Sequence, residues 1–147
     1  MKAFVSFSIR RWERAKDPPN PKEQKDPMIN WTEIKFFKPS EFDEPDKLSP
    51  VLVYKLDRCR KMAKVPMIIT SSYRPLKGPR DSAHQPNAEG VYEAVDIRCN
   101  EPRARFKIKK AAYQSGFCRI GTYNLHVHLD VAGEGFDQDV EWLGESK

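Results

Sequence analysis

The chain has 147 residues, 39% of them apolar and 11% aromatic, which is enough for one domain with its own core and too apolar for a disordered chain. With 32% charged residues and no apolar run of bilayer length, no membrane span is expected. The formal charge of +5 divides unevenly: residues 1 to 27 hold seven Lys/Arg against four Asp/Glu, leaving only +2 for the other 120 positions, so neither a basic docking face on the folded part nor nucleic-acid binding is expected.

The N-terminus runs Met1 to Ile9 as a short apolar stretch, followed by Arg10-Arg11 with no small-residue cleavage site behind it. It is not read as a signal peptide, and a cytoplasmic location until release is the expectation. Pro18, Pro19, Pro21 and Pro27 lie among charged residues, a composition that builds neither helix nor central strand. Residues 1–27 are therefore expected to be a flexible basic leader, and residues 28–147 the domain, with Met28 as a candidate functional start.

Ser40 before Glu41-Phe42 looks like the cap of a short turn. Ser49-Pro50 is a stronger start, with Ser as N-cap and Pro at the first helical position. Leu52, Leu56, Cys59 and Ala63 recur on one face of that helix, which Pro66 ends. Met67 to Ser71 reads as a buried strand, and Val91 to Cys99 as another. Asn100, with Pro102 behind it, is expected to cap a second helix burying Ala104, Ile108, Ala111 and Ala112 and stopping at Gly116. Phe117–Ile120 and Leu125–Val131 complete a hairpin through Gly121-Thr122-Tyr123-Asn124. The expected fold is α+β: an antiparallel sheet with a metal site on one face and both helices packed on the other.

The chemistry concentrates in few residues. All three histidines, His84, His126 and His128, lie in the C-terminal half, two of them within Leu125-His126-Val127-His128-Leu129-Asp130-Val131. A strand turns alternate side chains to opposite faces, so His126, His128 and Asp130 project together while Leu125, Val127, Leu129 and Val131 face the core. Twelve positions after His84, Asp96 stands between apolar neighbours. His84, Asp96 and His128 make a three-ligand zinc set that leaves one position open for water, as in catalytic zinc. A lone histidine is more often a satisfied core or surface residue, and an Asp in a strand can be a paired group; the clustering is what favours a metal. Cys59, Cys99 and Cys118 are odd in number and lack a C-x-x-C pair, so they read as reduced and part-buried, with Cys99 as a stray candidate ligand.

Seven segments in order carry a family likeness: Phe37–Phe42, Leu56–Arg60, Ile68–Arg74, Ser82-Ala83-His84, Glu93–Ile97, Gly116–Gly121 and His126–Asp130. Over about residues 34 to 132 the chain resembles the zinc D-alanyl-D-alanine carboxypeptidases, a group of peptidoglycan carboxypeptidases and phage endolysins that shares its metal site with the D-Ala-D-Ala dipeptidases and the hedgehog domain. The resemblance implies one zinc ion on His84, Asp96 and His128, with Arg74 holding a substrate carboxylate or polarising the scissile carbonyl. Ser82 and Tyr73 fall on the substrate side. His126 falls to the proton-handling histidine, with Asp130 orienting an imidazole; Asp130 and Glu93 are the other candidate bases. The implied function is hydrolysis of peptidoglycan stem peptides, by a chain expected to be monomeric and of phage or prophage type; a non-catalytic zinc domain with a structural or wall-binding role is the alternative. Two departures stand out: relatives separate the first histidine from the aspartate by seven positions rather than twelve, and Leu125 occupies the place of a glutamate base.

Overall fold

Ser49 begins helix α1, Pro50–Ala63, as its cap: its hydroxyl accepts the Leu52 N–H at 3.4 Å, and Pro50 occupies the first turn, where no N–H is needed. Leu52, Leu56, Cys59 and Ala63 are buried along one face, as the periodicity predicts, and Val53 is buried beside them. The computed structural model describes residues 28–145, so the leader reading of residues 1–27 lies outside the described residues.

Helix α2 spans Pro102–Gln114 and is capped by Glu101 rather than Asn100. The Glu101 carboxylate accepts two otherwise unpaired N–H groups, from Arg103 at 2.9 Å and Ala104 at 2.8 Å. At the other end Gly116 takes φ +87°, and the N–H groups of Gly116 and Phe117 return to the carbonyls of Tyr113 and Ala112. This closure needs a left-handed residue, which glycine adopts without steric cost. The 3-10 turn Pro39–Glu41 likewise places Ser40 inside the turn, and it is the Glu41 carboxylate that accepts the Lys38 N–H at 2.8 Å.

Five strands form one sheet: β1 Ile69–Ser71, β2 Ala94–Arg98, β3 Arg119–Thr122, β4 His126–Asp130 and β5 Val140–Leu143. Their order is β1-β2-β4-β3-β5, and β5 runs parallel to β3 while the other pairs are antiparallel. The sheet is therefore mixed rather than antiparallel, with β5 as an unforeseen fifth strand. Of the expected buried strand at Met67–Ser71, only Ile69–Ser71 form a strand, at the sheet edge, and only Met67, which precedes it, is fully buried. Gly121 and Thr122 belong to β3, so the hairpin turn is tighter than expected, closed by Tyr123 N–H on the His126 carbonyl. Leu125, expected in the core, is 59% exposed in that turn.

Strand alternation separates the two faces. Val95, Ile97, Ile120, Val127 and Leu129 join the buried faces of α1 and α2 in one core, while Asp96, His126, His128 and Asp130 take the opposite parity. Burying a large aliphatic side chain is worth about 1.5–3 kcal/mol, so this cluster dominates the stability and fixes which parity faces outward. Cys99 has core parity and lies in the apolar cluster, away from any cluster that could hold a metal among the described residues.

Candidate metal centre

Register builds the centre. Asp96 of β2 is opposite His128 of β4, which is opposite Gly121 of β3, which is opposite Trp142 of β5. Two of these side chains are donors. Gly121 leaves room for the third: a Cβ there would lie 2.6 Å from the Trp142 ring, which instead packs on His128 with ring centroids 5.3 Å apart.

His84 arrives from the loop between β1 and β2. Backbone bonds on both sides hold it, from Arg74 N–H to the His84 carbonyl and from Glu93 N–H to the Ala83 carbonyl, each 2.9 Å. The Ser82 hydroxyl accepts the His84 N–H at 3.3 Å. The loop after His84 closes on itself, with the Asn87 side chain accepting the N–H groups of Glu89 and Val91. The twelve-residue spacing is thus absorbed away from the centre, where loop length costs little.

His84 Nε2, Asp96 Oδ1 and His128 Nδ1 form a near-equilateral triangle with sides of 3.1, 3.0 and 3.2 Å. A tetrahedral ion with bonds near 2.0 Å separates its ligand atoms by about 3.3 Å. The second nitrogen of each ring fixes its tautomer: His84 Nδ1 lies 2.6 Å from the Ser72 carbonyl, which can only accept, and His128 Nε2 lies 2.7 Å from Asp130 Oδ2. With those nitrogens donating, two imidazole lone pairs and a carboxylate oxygen converge, and only a proton or a metal cation relieves them. All three side chains are buried. The group can therefore hold a metal ion.

The surrounding charges agree with this. Burial alone would raise the Asp96 carboxyl, but its contacts with His128 and His84, which become hydrogen bonds when a proton rather than a metal occupies the group, outweigh it and keep the carboxyl well below the usual range. Burial would likewise lower His128, and the contacts with Asp130 and Asp96 raise it instead.

A cleft of about 540 Å³ opens over the centre, lined by Arg74, Ser82, His126 and Tyr123 among others. Arg74 Nη2 lies 3.3 Å from Asp96 Oδ2 with half its side chain in solvent. His126 Nε2 lies 3.8 Å from Asp96 Oδ1, and its ring stacks on Tyr123 at 4.2 Å. Part-burial lowers the His126 basicity, partly countered by the Asp96 charge, so the ring is neutral near pH 7. Asp130 is 1% exposed and touches the triangle only through its 2.7 Å contact with His128 Nε2. Tyr73 is not among the cleft residues; it packs on Tyr92 with centroids 5.7 Å apart. Glu93 faces elsewhere, paired with Arg80 at 2.9 Å.

Sequence reasoning missed four contributors. Arg119 Nε donates to Asp130 Oδ1 at 2.6 Å, Trp142 walls the cleft, and Asp81 and Glu145 add carboxylates to its lining. The parity of Arg119 with Asp130, and of Trp142 within Val140–Leu143, was the available signal, but neither pairing is local. No protein-family model, curated protein or solved structure matches this chain.

Proposed function

We propose that this chain is a zinc-dependent peptidase acting on peptidoglycan stem peptides. The observation that carries the reading is the triangle of His84 Nε2, Asp96 Oδ1 and His128 Nδ1 at 3.0–3.2 Å beneath an open cleft. Two imidazoles and one carboxylate at that separation suit zinc, whereas calcium and magnesium favour all-oxygen sites of higher coordination. The order of the seven motifs supports the substrate class.

Bound zinc supplies Lewis acidity toward a carbonyl oxygen and an attacking water. The protein's own groups do the rest. Neutral His126, on the cleft side of Asp96, accepts the proton of the nucleophile and returns it to the leaving amine. Arg74 offers a permanently charged planar fork to the developing oxyanion or, for a carboxypeptidase, to the terminal carboxylate. Asp130 and the Ser72 carbonyl hold the two imidazoles in the tautomers that leave their lone pairs free.

Metal analysis of the purified protein together with a zymogram on cell walls tests this. Loss of both zinc and lysis in Asp96→Ala and His128→Ala is expected; hydrolysis by metal-free protein would overturn it. Mass spectrometry of released muropeptides assigns carboxypeptidase or endopeptidase specificity. A non-catalytic zinc domain is the second reading, favoured by Leu125, which stands where the family that the chain resembles carries a glutamate base and lies exposed in the β3–β4 turn. Zinc binding without turnover on purified sacculi would select it.

A further inference from the structure

The face of the sheet opposite the metal cleft carries a feature that the net charge conceals. Helix α2 holds Arg103, Arg105, Lys107, Lys109 and Lys110 and no acidic residue. Its outward stripe is aromatic: Phe106 is 68% and Tyr113 51% exposed, seven residues apart and so on one side of the helix, directly away from buried Ile108, Ala111 and Ala112. By helical angle, Arg105 and Lys109 flank this stripe on one side, and Arg103, Lys107 and Lys110 on the other. A hollow of about 580 Å³ runs along it.

Two strongly exposed leucines border the same face. The Glu141 carboxylate accepts the Tyr113 hydroxyl at 2.6 Å and pairs with Lys109, and Leu143, 85% exposed, has the same parity as Glu141 on β5. Arg105 Nη2 donates to the Asn124 carbonyl at 2.7 Å, beside Leu125, which shares parity with core-facing Val127. Five cations against the carboxylates of Glu101 and Glu141 leave the face positive.

The geometry points to a peripheral docking face for an anionic phospholipid bilayer. Charge alone would suit any polyanion. Phe106, Leu125 and Leu143, however, carry no hydrogen-bonding side-chain group, and a hydrated polymer would leave them in water. At a bilayer surface they enter the headgroup–acyl boundary while the flanking lysines and arginines meet lipid phosphates. No helix among the described residues is long and apolar enough to cross a membrane, so the contact is interfacial. Because α2 and the metal centre lie on opposite faces of the sheet, docking leaves the cleft facing away from the lipid. This inference does not depend on the proposed peptidase activity.

The test is sedimentation of the full chain with vesicles of phosphatidylglycerol and phosphatidylcholine, or of phosphatidylcholine alone. Binding to the anionic vesicles only, weakening with salt, is expected. Lys107→Gln with Lys110→Gln reduces partition about 25-fold, a factor near five for each cation. Phe106→Ser with Leu143→Ser reduces it severalfold at unchanged charge. All four positions are exposed, and an unchanged circular dichroism spectrum verifies folding. Absence of binding, equal binding to neutral vesicles, or binding that neither double variant alters, as residues 1–27 would produce, overturns the inference. So does helix-dependent binding to soluble DNA or heparin without binding to vesicles.

Discussion

Arg119 and Asp130 face each other across the β3–β4 ladder, and the 2.6 Å bond between them holds the carboxylate that orients His128. Arg119 also donates to the Asp137 carbonyl, and its guanidinium lies 5.0 Å from the Phe136 ring and 5.3 Å from the Trp142 ring. Asp130→Asn should weaken zinc binding about 10- to 100-fold, measured by competition with a chromophoric chelator. Arg119→Met should destabilise the fold by about 3–5 kcal/mol in urea titration, because it leaves a buried carboxylate without its cation. Unchanged zinc affinity in Asp130→Asn would refute the orienting role.

His126 and His128 should separate cleanly. His128→Ala loses the metal. His126→Ala keeps the zinc content and loses turnover about 10²- to 10⁴-fold, since it removes a proton carrier and no ligand. Zinc loss in His126→Ala, read by metal analysis, would contradict this division.

The metal-free protein should have a stability maximum on the acid side of neutrality. Asp96 and Asp130 are held below the ordinary carboxylate range, so their contribution is present above about pH 4 and is lost as pH falls through the folded values. His128 is raised, so its contribution is full below about pH 6.5 and is lost as pH rises through its folded value. Urea midpoints across pH 3 to 9 check both limbs. Added zinc should lift the alkaline limb selectively, because a metal competes with the His128 proton.

Gly121→Ala should destabilise the protein by about 1–3 kcal/mol, as its Cβ would enter the Trp142 ring at 2.6 Å. Thermal unfolding reads the loss. Adding Trp142→Ala should recover part of it, giving a non-additive cycle; strict additivity would show that the clash is absent.

Thiol labelling should follow burial. Cys118 is exposed, whereas Cys59 and Cys99 are buried, and burial pushes the Cys59 thiol up to about 12. A thiol-specific chromogenic reagent should modify Cys118 in native protein, and Cys59 and Cys99 only after denaturation. Rapid native labelling at Cys59 would contradict the packing of α1 on α2.

Local rules were readable wherever the physics is local. Ser49-Pro50 announces α1 because a cap and a proline act within one turn, and the face of Leu52, Leu56, Cys59 and Ala63 follows from helical period. Elsewhere a nearby competitor won. Glu101 reaches two N–H groups and takes the cap from Asn100, and the tight turn at Tyr123 pulls Leu125 out of the core.

The alternation of His126, His128 and Asp130 is a property of the sequence itself, because a strand has a period of two whatever it pairs with, and the same parity rule sets Asp96 apart from Val95 and Ile97. What only tertiary structure decided is that these parities meet. The β2–β4 register sets Asp96 beside His128, the pinned loop brings His84 Nε2 to within 3.1 Å of Asp96 Oδ1, and β5 lays Trp142 over Gly121. Such pairings depend on which hydrophobic faces bury against one another across long chain separations, and no window of neighbouring residues carries that information.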